Sequence, residues 1–136
     1  MYKNIIIPAA LDHLEILPRK LEVAQRIKSE DGVITVVSVI EDVPAYVAEY
    51  TMVRPDRAEL GSKAKESLRV ALKDFPGVKA ELLHGKPRVV LADYTNEVQA
   101  DLIILAALGP GAEDYALGST PSRIVRRASC SVMVIR

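Results

Sequence analysis

Four short runs of branched apolar residues, set apart by longer amphipathic stretches, constrain this chain more than any other feature. They are N-I-I-I-P at Asn4–Pro8, V-I-T-V-V-S-V-I at Val33–Ile40, D-L-I-I-L-A at Asp101–Ala106 and S-V-M-V-I at Ser131–Ile135. Each is nearly continuous rather than alternating, as expected of strands buried on both faces of a parallel sheet. Parallel neighbours cannot be joined by a hairpin, so each pair needs a crossover, normally a helix. The intervening segments supply it. Leu17, Leu21, Ala24 and Ile27 recur at helical spacing, with Lys20, Glu22, Gln25 and Lys28 assigned to the opposite face; Pro18 suits the first turn, so this helix should begin near Leu17. Ala64, Leu68, Ala71 and Phe75 mark a second helix over Ala58–Phe75, closed by Pro76-Gly77. A further strand is expected at Val78–Leu83, a third helix on Val90, Leu91, Tyr94 and Val98, and a last helix over Pro121–Ala128. Gly32 reads as the break before strand two. The expectation is one α/β domain over residues 1–136: a doubly wound, Rossmann-like, five-stranded parallel sheet of order 3-2-1-4-5, helices on both faces.

The chain has 136 residues, enough for one full-sized core without disulfides or a structural metal. Its 18 basic and 18 acidic residues cancel, which leaves a weak long-range field and makes nucleic acid a poor default partner. No run approaches the roughly 18 apolar residues of a membrane span, and Met1–Ala10 is too short and too lightly charged for a secretory signal, so no membrane insertion and a cytoplasmic location are expected. The single cysteine, Cys130, permits no internal disulfide and reads as a small core residue. The two histidines, His13 and His84, offer no metal-ligand spacing; His13 alone stands near the expected ligand crevice.

In an open parallel sheet the crevice lies beyond the carboxyl ends of the strands where strand order reverses, here between strands one and four. The loops to inspect are Pro8–His13 and Ala106–Thr120. The second reads A-A-L-G-P-G-A-E-D-Y-A-L-G-S-T-P from Ala106 to Pro121. Thr120 suits an N-cap and Pro121 a first helical residue, so the free amides of Gly118, Ser119 and their neighbours should converge on one point. A glycine-led helix amino terminus is an anion site, although the same Gly-Ser-Thr-Pro also reads as an ordinary turn and cap. No P-loop and no G-x-G-x-x-G after strand one are present, which removes the main support for kinase-like or dehydrogenase chemistry.

The opening Y-K-N-I-I-I-P, the second strand V-V-S-V-I-E-D, the fourth strand A-D-L-I-I-L-A and the ending G-S-T-P-S-R-I-V-R-R-A-S-C-S-V-M-V-I-R together resemble the universal stress protein family, in particular its F/G-type, nucleotide-binding branch. The family's nucleotide motif is a glycine, two residues, a second glycine, nine residues, then Gly-Ser or Gly-Thr. Here Ala106 stands for the first glycine, Gly109 for the second, and Gly118-Ser119 follows after eight residues, with Pro110 matching the proline of the shortened F/G-type loop. The resemblance implies ATP, ADP or AMP, with or without Mg²⁺: adenine against the backbone near Val39 and the first loop (Pro8, Ala9, Ala10), ribose near Ala106 and Gly109, phosphates on Gly118, Ser119 and Thr120. Arg123 matches a commonly basic family position. Where many members carry an aspartate two residues after the strand-one proline, this chain has Ala10; Asp12 either substitutes or, as Asp favours, caps the first helix. The family also implies a homodimer through the last strand, residues 131–135, which agrees with the pairing tendency of a bare apolar edge.

Glu41 and Asp42, leaving strand two, read as a solvated strand end or as acceptors for ribose or hydrated Mg²⁺. Tyr46 and Tyr50 would cover a base or a partner, or pack on the sheet. The function expected is a nucleotide-responsive stress or regulatory protein acting on an unidentified protein partner. The alternatives are slow ATP hydrolysis or autophosphorylation at Ser119 or Thr120, and an interaction module of the same fold that binds no nucleotide.

Overall fold

The computed structural model describes residues 1–41, 57–107 and 117–136. Asp42, Tyr46 and Tyr50 of the long connection, and Gly109, Pro110 and Gly111 of the fourth-strand loop, lie outside the described residues. The elements follow in the order β1 (Tyr2–Pro8), a 3-10 turn (Leu14–Ile16), α1 (Leu17–Ile27), β2 (Lys28–Ile40), α2 (Arg57–Ala71), β3 (Lys79–His84), α3 (Pro87–Glu97), β4 (Leu102–Ala106), α4 (Ser119–Arg127) and β5 (Ser131–Ile135). The sheet has five strands in the order β3-β2-β1-β4-β5, all pairs parallel, as expected.

Alternation along the buried strands divides the core. Ile5 and Ile7 of β1, Ile34 and Val36 of β2 and Leu102 and Ile104 of β4 point to one face, where Leu17, Leu21 and Ala24 of α1 and Leu68 of α2 cover them. Ile6, Val37, Ile103 and Leu105 point to the other, against Leu91 of α3 and Ile124 of α4. This two-sided burial is why the strands read as continuous apolar runs. Each fully buried Ile or Leu contributes about 1.5–3 kcal/mol relative to exposure.

Side-chain hydrogen bonds lock the register at the amino ends. The Asp101 carboxylate accepts from the amides of Lys3 (2.7 Å) and Asn4 (2.9 Å), and Asn4 Nδ2 donates to the Val98 carbonyl at 2.8 Å. Asn96 Oδ1 accepts from the amide and the hydroxyl of Ser129, fixing the entry to β5.

Three boundaries differ from expectation. Gly32 does not precede β2 but lies inside it: α1 passes directly into the strand at Lys28, and the pairing slips from Tyr2↔Lys28 to Asn4↔Val33. A Cβ on Gly32 would lie 2.8 Å from the Tyr2 carbonyl oxygen and 2.9 Å from that of Ser29, so the bulge admits no side chain there. The second helix stops at Ala71 rather than Phe75, because Lys73 and Phe75 bond three residues back, to Val70 and Leu72; Phe75 still packs against the core, but from a turn. The last helix starts at Ser119 with Gly118 as its N-cap, earlier than the expected Thr120 cap and Pro121 start. Among the described residues no helix is long and apolar enough to cross a membrane.

Candidate functional site

The paired stretch of β1 and β4 is short. Their register covers Ile5↔Leu102 and Ile6↔Ile103, although β1 continues to Pro8 and β4 to Ala106. On the outer sides pairing persists to the strand ends, Pro8↔Val37 and Ala106↔Ile135. The sheet therefore opens at one place, the carboxyl ends of β1 and β4, where strand order reverses. A cleft of about 560 Å³ occupies it. A larger groove of about 760 Å³ runs along α2 and β3, but Phe75–Val78 line it at the amino end of β3, away from this opening.

One wall is the loop after β1. The Ala9 amide donates to the Val37 carbonyl at 2.9 Å, the buried Ser38 hydroxyl donates to the Ala9 carbonyl at 2.7 Å, and the His13 amide donates to Ala10 at 3.0 Å. These bonds turn the loop so that Ala10 and His13 line the cleft. His13 Nδ1 stands 3.4 Å from Glu15 Oε1 and its Nε2 stands 3.7 Å from Asp12 Oδ2. Asp12 is itself largely exposed and caps nothing, since the 3-10 turn and α1 are preceded by His13 and Ile16 without side-chain caps. The capping role expected for Asp12 is thus absent: the 3-10 turn intervenes and carries the helix start away from it. Asp12 does not line the cleft either.

Beside this loop, Lys20 of α1 also lines the cleft and is only 4% exposed. Its Nζ donates to the Pro8 carbonyl at 2.5 Å. Burial lowers its pKa from 10.5 to about 8. Lys20 therefore lies on the inward face of the first helix, not on the outer face expected of it. The buried positions of α1 are Leu17, Lys20, Leu21 and Ala24, spaced i, i+3, i+4 and i+7, so its register alone assigns Lys20 to the inward stripe. Lysine chemistry masked a signal that the spacing contained.

The opposite wall is the end of β4 and the start of α4: Ala106, Ala107, Gly118, Ser119, Thr120 and Pro121. The Gly118 amide donates to the Ala107 carbonyl at 3.4 Å and is not one of the free donors expected of it. That bond ties α4 to β4. Among the described residues the amides of Ser119 and Thr120 have no acceptor, and Pro121 has no N–H. Among the described residues, these two amides at the positive end of α4, their hydroxyls and the Lys20 ammonium are donors that this cleft offers to an anion. No hydrogen bond among the described residues joins either hydroxyl to a base, and none of the described residues form a cluster of three or more metal-ligating acids, histidines or cysteines.

Ala10, Ala106, Gly118, Ser119 and Thr120 thus line one cleft. Pro8 and Ala9 lie behind it, Pro8 through the carbonyl that holds Lys20. Val39 is not on its wall: its side chain packs with the Ile6 and Val37 cluster, and it pairs with Leu83 of β3. β2 overruns β1 by the stretch after Val37, so the flank of Val39 toward β1 faces past the end of that strand. Gly109 is outside the described residues. Arg123 does not line the cleft, and its buried Nε has no hydrogen-bond partner among the described residues. Cys130 packs against the core face of α4, where burial pushes its thiol pKa up, which favours the unreactive protonated form.

The model of the universal stress protein family matches residues 1–136. The chain belongs to this family. Universal stress protein G of Salmonella typhimurium is 26% identical over 145 residues, with all of both chains covered. Universal stress protein UspA from Lactobacillus plantarum superposes with a TM-score of 0.76 at 26% identity, covering 99% of this chain and 98% of that one. Two more distant structures share the fold. A universal stress protein in complex with cAMP has a TM-score of 0.63 at 17% identity, covering 99% of this chain and 97% of that one. The Archaeoglobus fulgidus protein in complex with dAMP has a TM-score of 0.63 at 19% identity, covering 99% and 98%. For this universal stress protein, the Asn4–Asp101 clamp, the Ser38–Ala9 bond and the Gly118–Ala107 bond give structural reasons for the four segments that carry the resemblance.

Proposed function

We propose that this universal stress protein binds an adenine nucleotide in the β1/β4 cleft and acts as a regulatory factor whose surface responds to occupancy. The observation that carries the reading is the cleft itself, lined by a buried cation and by Ser119 and Thr120, whose amides have no acceptor among the described residues. Family members of the same fold that hold cAMP and dAMP support the choice of an adenine ligand. The alanine-lined span between Ala10 and Ala106–Ala107 offers room for the ribose, with the base toward the first loop and the phosphates at α4. The ligand would be ATP, ADP or AMP; Glu41, at the end of β2, would interact with hydrated Mg²⁺ if the metal accompanies it.

Calorimetry tests the reading. ATP or AMP should bind with micromolar affinity, and Gly118→Asp should reduce that affinity at least tenfold. Gly118 has φ −63° and ψ 171°, a conformation open to any residue, and Asp is a favourable N-cap, so the variant should fold while repelling phosphate. Absence of heat with every adenine nucleotide would favour the interaction module without nucleotide, the reading that Ala106 in place of the motif glycine and the occupied Gly118 amide support.

The same proposal includes a cytoplasmic homodimer through β5. That strand pairs with β4 on one side, and Val132, Met133 and Val134 remain partly accessible. Light scattering at micromolar concentration should give twice the chain mass of 14.9 kDa; a monomer would remove the dimer.

A further inference from the structure

Lys20 is charged at neutral pH, buried to 4% exposure, and has no carboxylate partner among the described residues. An ammonium group carries three N–H donors, and the Pro8 carbonyl takes one at 2.5 Å. The Pro8 bond holds Nζ at the end of β1, where the sheet opens, while the remaining donors have no acceptor within the described residues. Burying a cation without a counter-charge is costly, and such groups are normally paired. The other titratable groups along this wall are His13 and Glu15, whose Nδ1 and Oε1 stand 3.4 Å apart. Across the cleft stand Ser119 and Thr120, whose amides and hydroxyls are also donors. Donors of positive character thus stand on two walls, and no described carboxylate is bonded to Lys20, Ser119 or Thr120; the Glu15 carboxylate on the first wall stands against His13.

We propose that Lys20 supplies the counter-charge of the ligand: the cleft takes a phosphate group seated between the Lys20 ammonium and the amides of Ser119 and Thr120. This inference rests on the nucleotide reading for the identity of the ligand, and on the buried ammonium for the role of the residue. Lys20 is then a specificity residue that separates nucleotides from nucleosides. The phosphate restores to the ammonium the interactions that burial removes, and the Pro8 carbonyl keeps the side chain extended into the cleft before the ligand arrives. A helix terminus alone contributes modestly to anion affinity; a pre-placed, poorly hydrated cation raises both affinity and charge selectivity.

The test compares wild type with Lys20→Met, which preserves length and apolar bulk, by calorimetry with AMP, ATP, adenosine and inorganic phosphate. Lys20→Met should bind AMP and ATP at least tenfold more weakly and adenosine within about twofold of wild type, by the strength ordinary for a charge-assisted contact. Unchanged AMP affinity in the variant, or equal loss for adenosine and AMP, would overturn the assignment and leave the nucleotide reading standing. Should wild type bind no adenine nucleotide, the nucleotide reading fails, and the phosphate arm decides the role of Lys20. In ¹⁵N-lysine-labelled wild type, a saturable shift of the Lys20 Nζ resonance on adding phosphate supports a free-phosphate site, and its absence overturns the inference. The same resonance, followed with AMP, gives the answer if Lys20→Met loses the native circular dichroism spectrum.

Discussion

An ammonium withdrawn from water gives up hydration that one carbonyl cannot replace, and Lys20 shows the result as a pKa near 8 instead of 10.5. Below about pH 8 the folded and unfolded chains both carry the proton, and the cost of burying the charge is fully present. Between about 8 and 10.5 the unfolded chain binds more protons than the folded one, so stability from this group rises with pH. The full span corresponds to about 3 kcal/mol. In urea denaturation at pH 7.5 and at pH 10, wild type should gain stability relative to Lys20→Met at the higher value; every other residue is common to the two proteins, so the difference isolates Lys20. Asp101 is the opposite case. Its carboxylate joins the amides of Lys3 and Asn4, so Asp101→Ala should cost about 1–3 kcal/mol in urea denaturation. Nucleotide affinity should be unchanged, because the clamp lies at the amino ends of the strands and the cleft at the other.

At the scale of elements, β2 depends on a position that tolerates no side chain. Gly32→Val would place a Cβ against two carbonyl oxygens and must shift the bulge, with an expected cost of about 1–3 kcal/mol in denaturant titration. The β4 strand depends on volume instead: Ile103 is fully buried between α3 and α4, and Ile103→Ala should cost about 2–5 kcal/mol by the same measurement. These elements also show what was legible in the sequence. Strand identity was, because burial on both faces leaves no place for polar residues in Ile5–Ile7 or Leu102–Leu105. The bulge at Gly32 was not, because it arises from the pairing of β1 with β2, a contact between distant residues. The early start of α4 escaped notice for a similar reason: the bond from Gly118 to Ala107 sets the helix entry from outside the helix. Gly118, Ser119 and Thr120 were legible as cleft residues, since a strand followed by a glycine-led helix start fixes their place. Lys20 is the harder case, because a lysine's charge argues for the outer face while the register of α1 turns it inward.

For the whole molecule, the sheet consists of β3-β2-β1 and β4-β5 joined across the Ile5–Ile6 and Leu102–Ile103 pairs. The neighbouring junctions are longer, running from Asn4↔Val33 to Pro8↔Val37 on one side and from Leu102↔Ser131 to Ala106↔Ile135 on the other. Packing on both faces, through Ile5 and Leu102 against α1 and Ile6 and Ile103 against α3 and α4, supplements this seam. A nucleotide in the cleft would touch Ala10 and Lys20 on one part and Ala106, Ser119 and Thr120 on the other. Amide hydrogen exchange should therefore slow on adding AMP, most at Ile6 and Leu102–Ile104, and little in β3; uniform slowing across the sheet would contradict this. The narrow seam would make a bound ligand a rivet: it would fasten two leaves at the edge where strand pairing stops, and a partner resting across both would feel occupancy as stiffness.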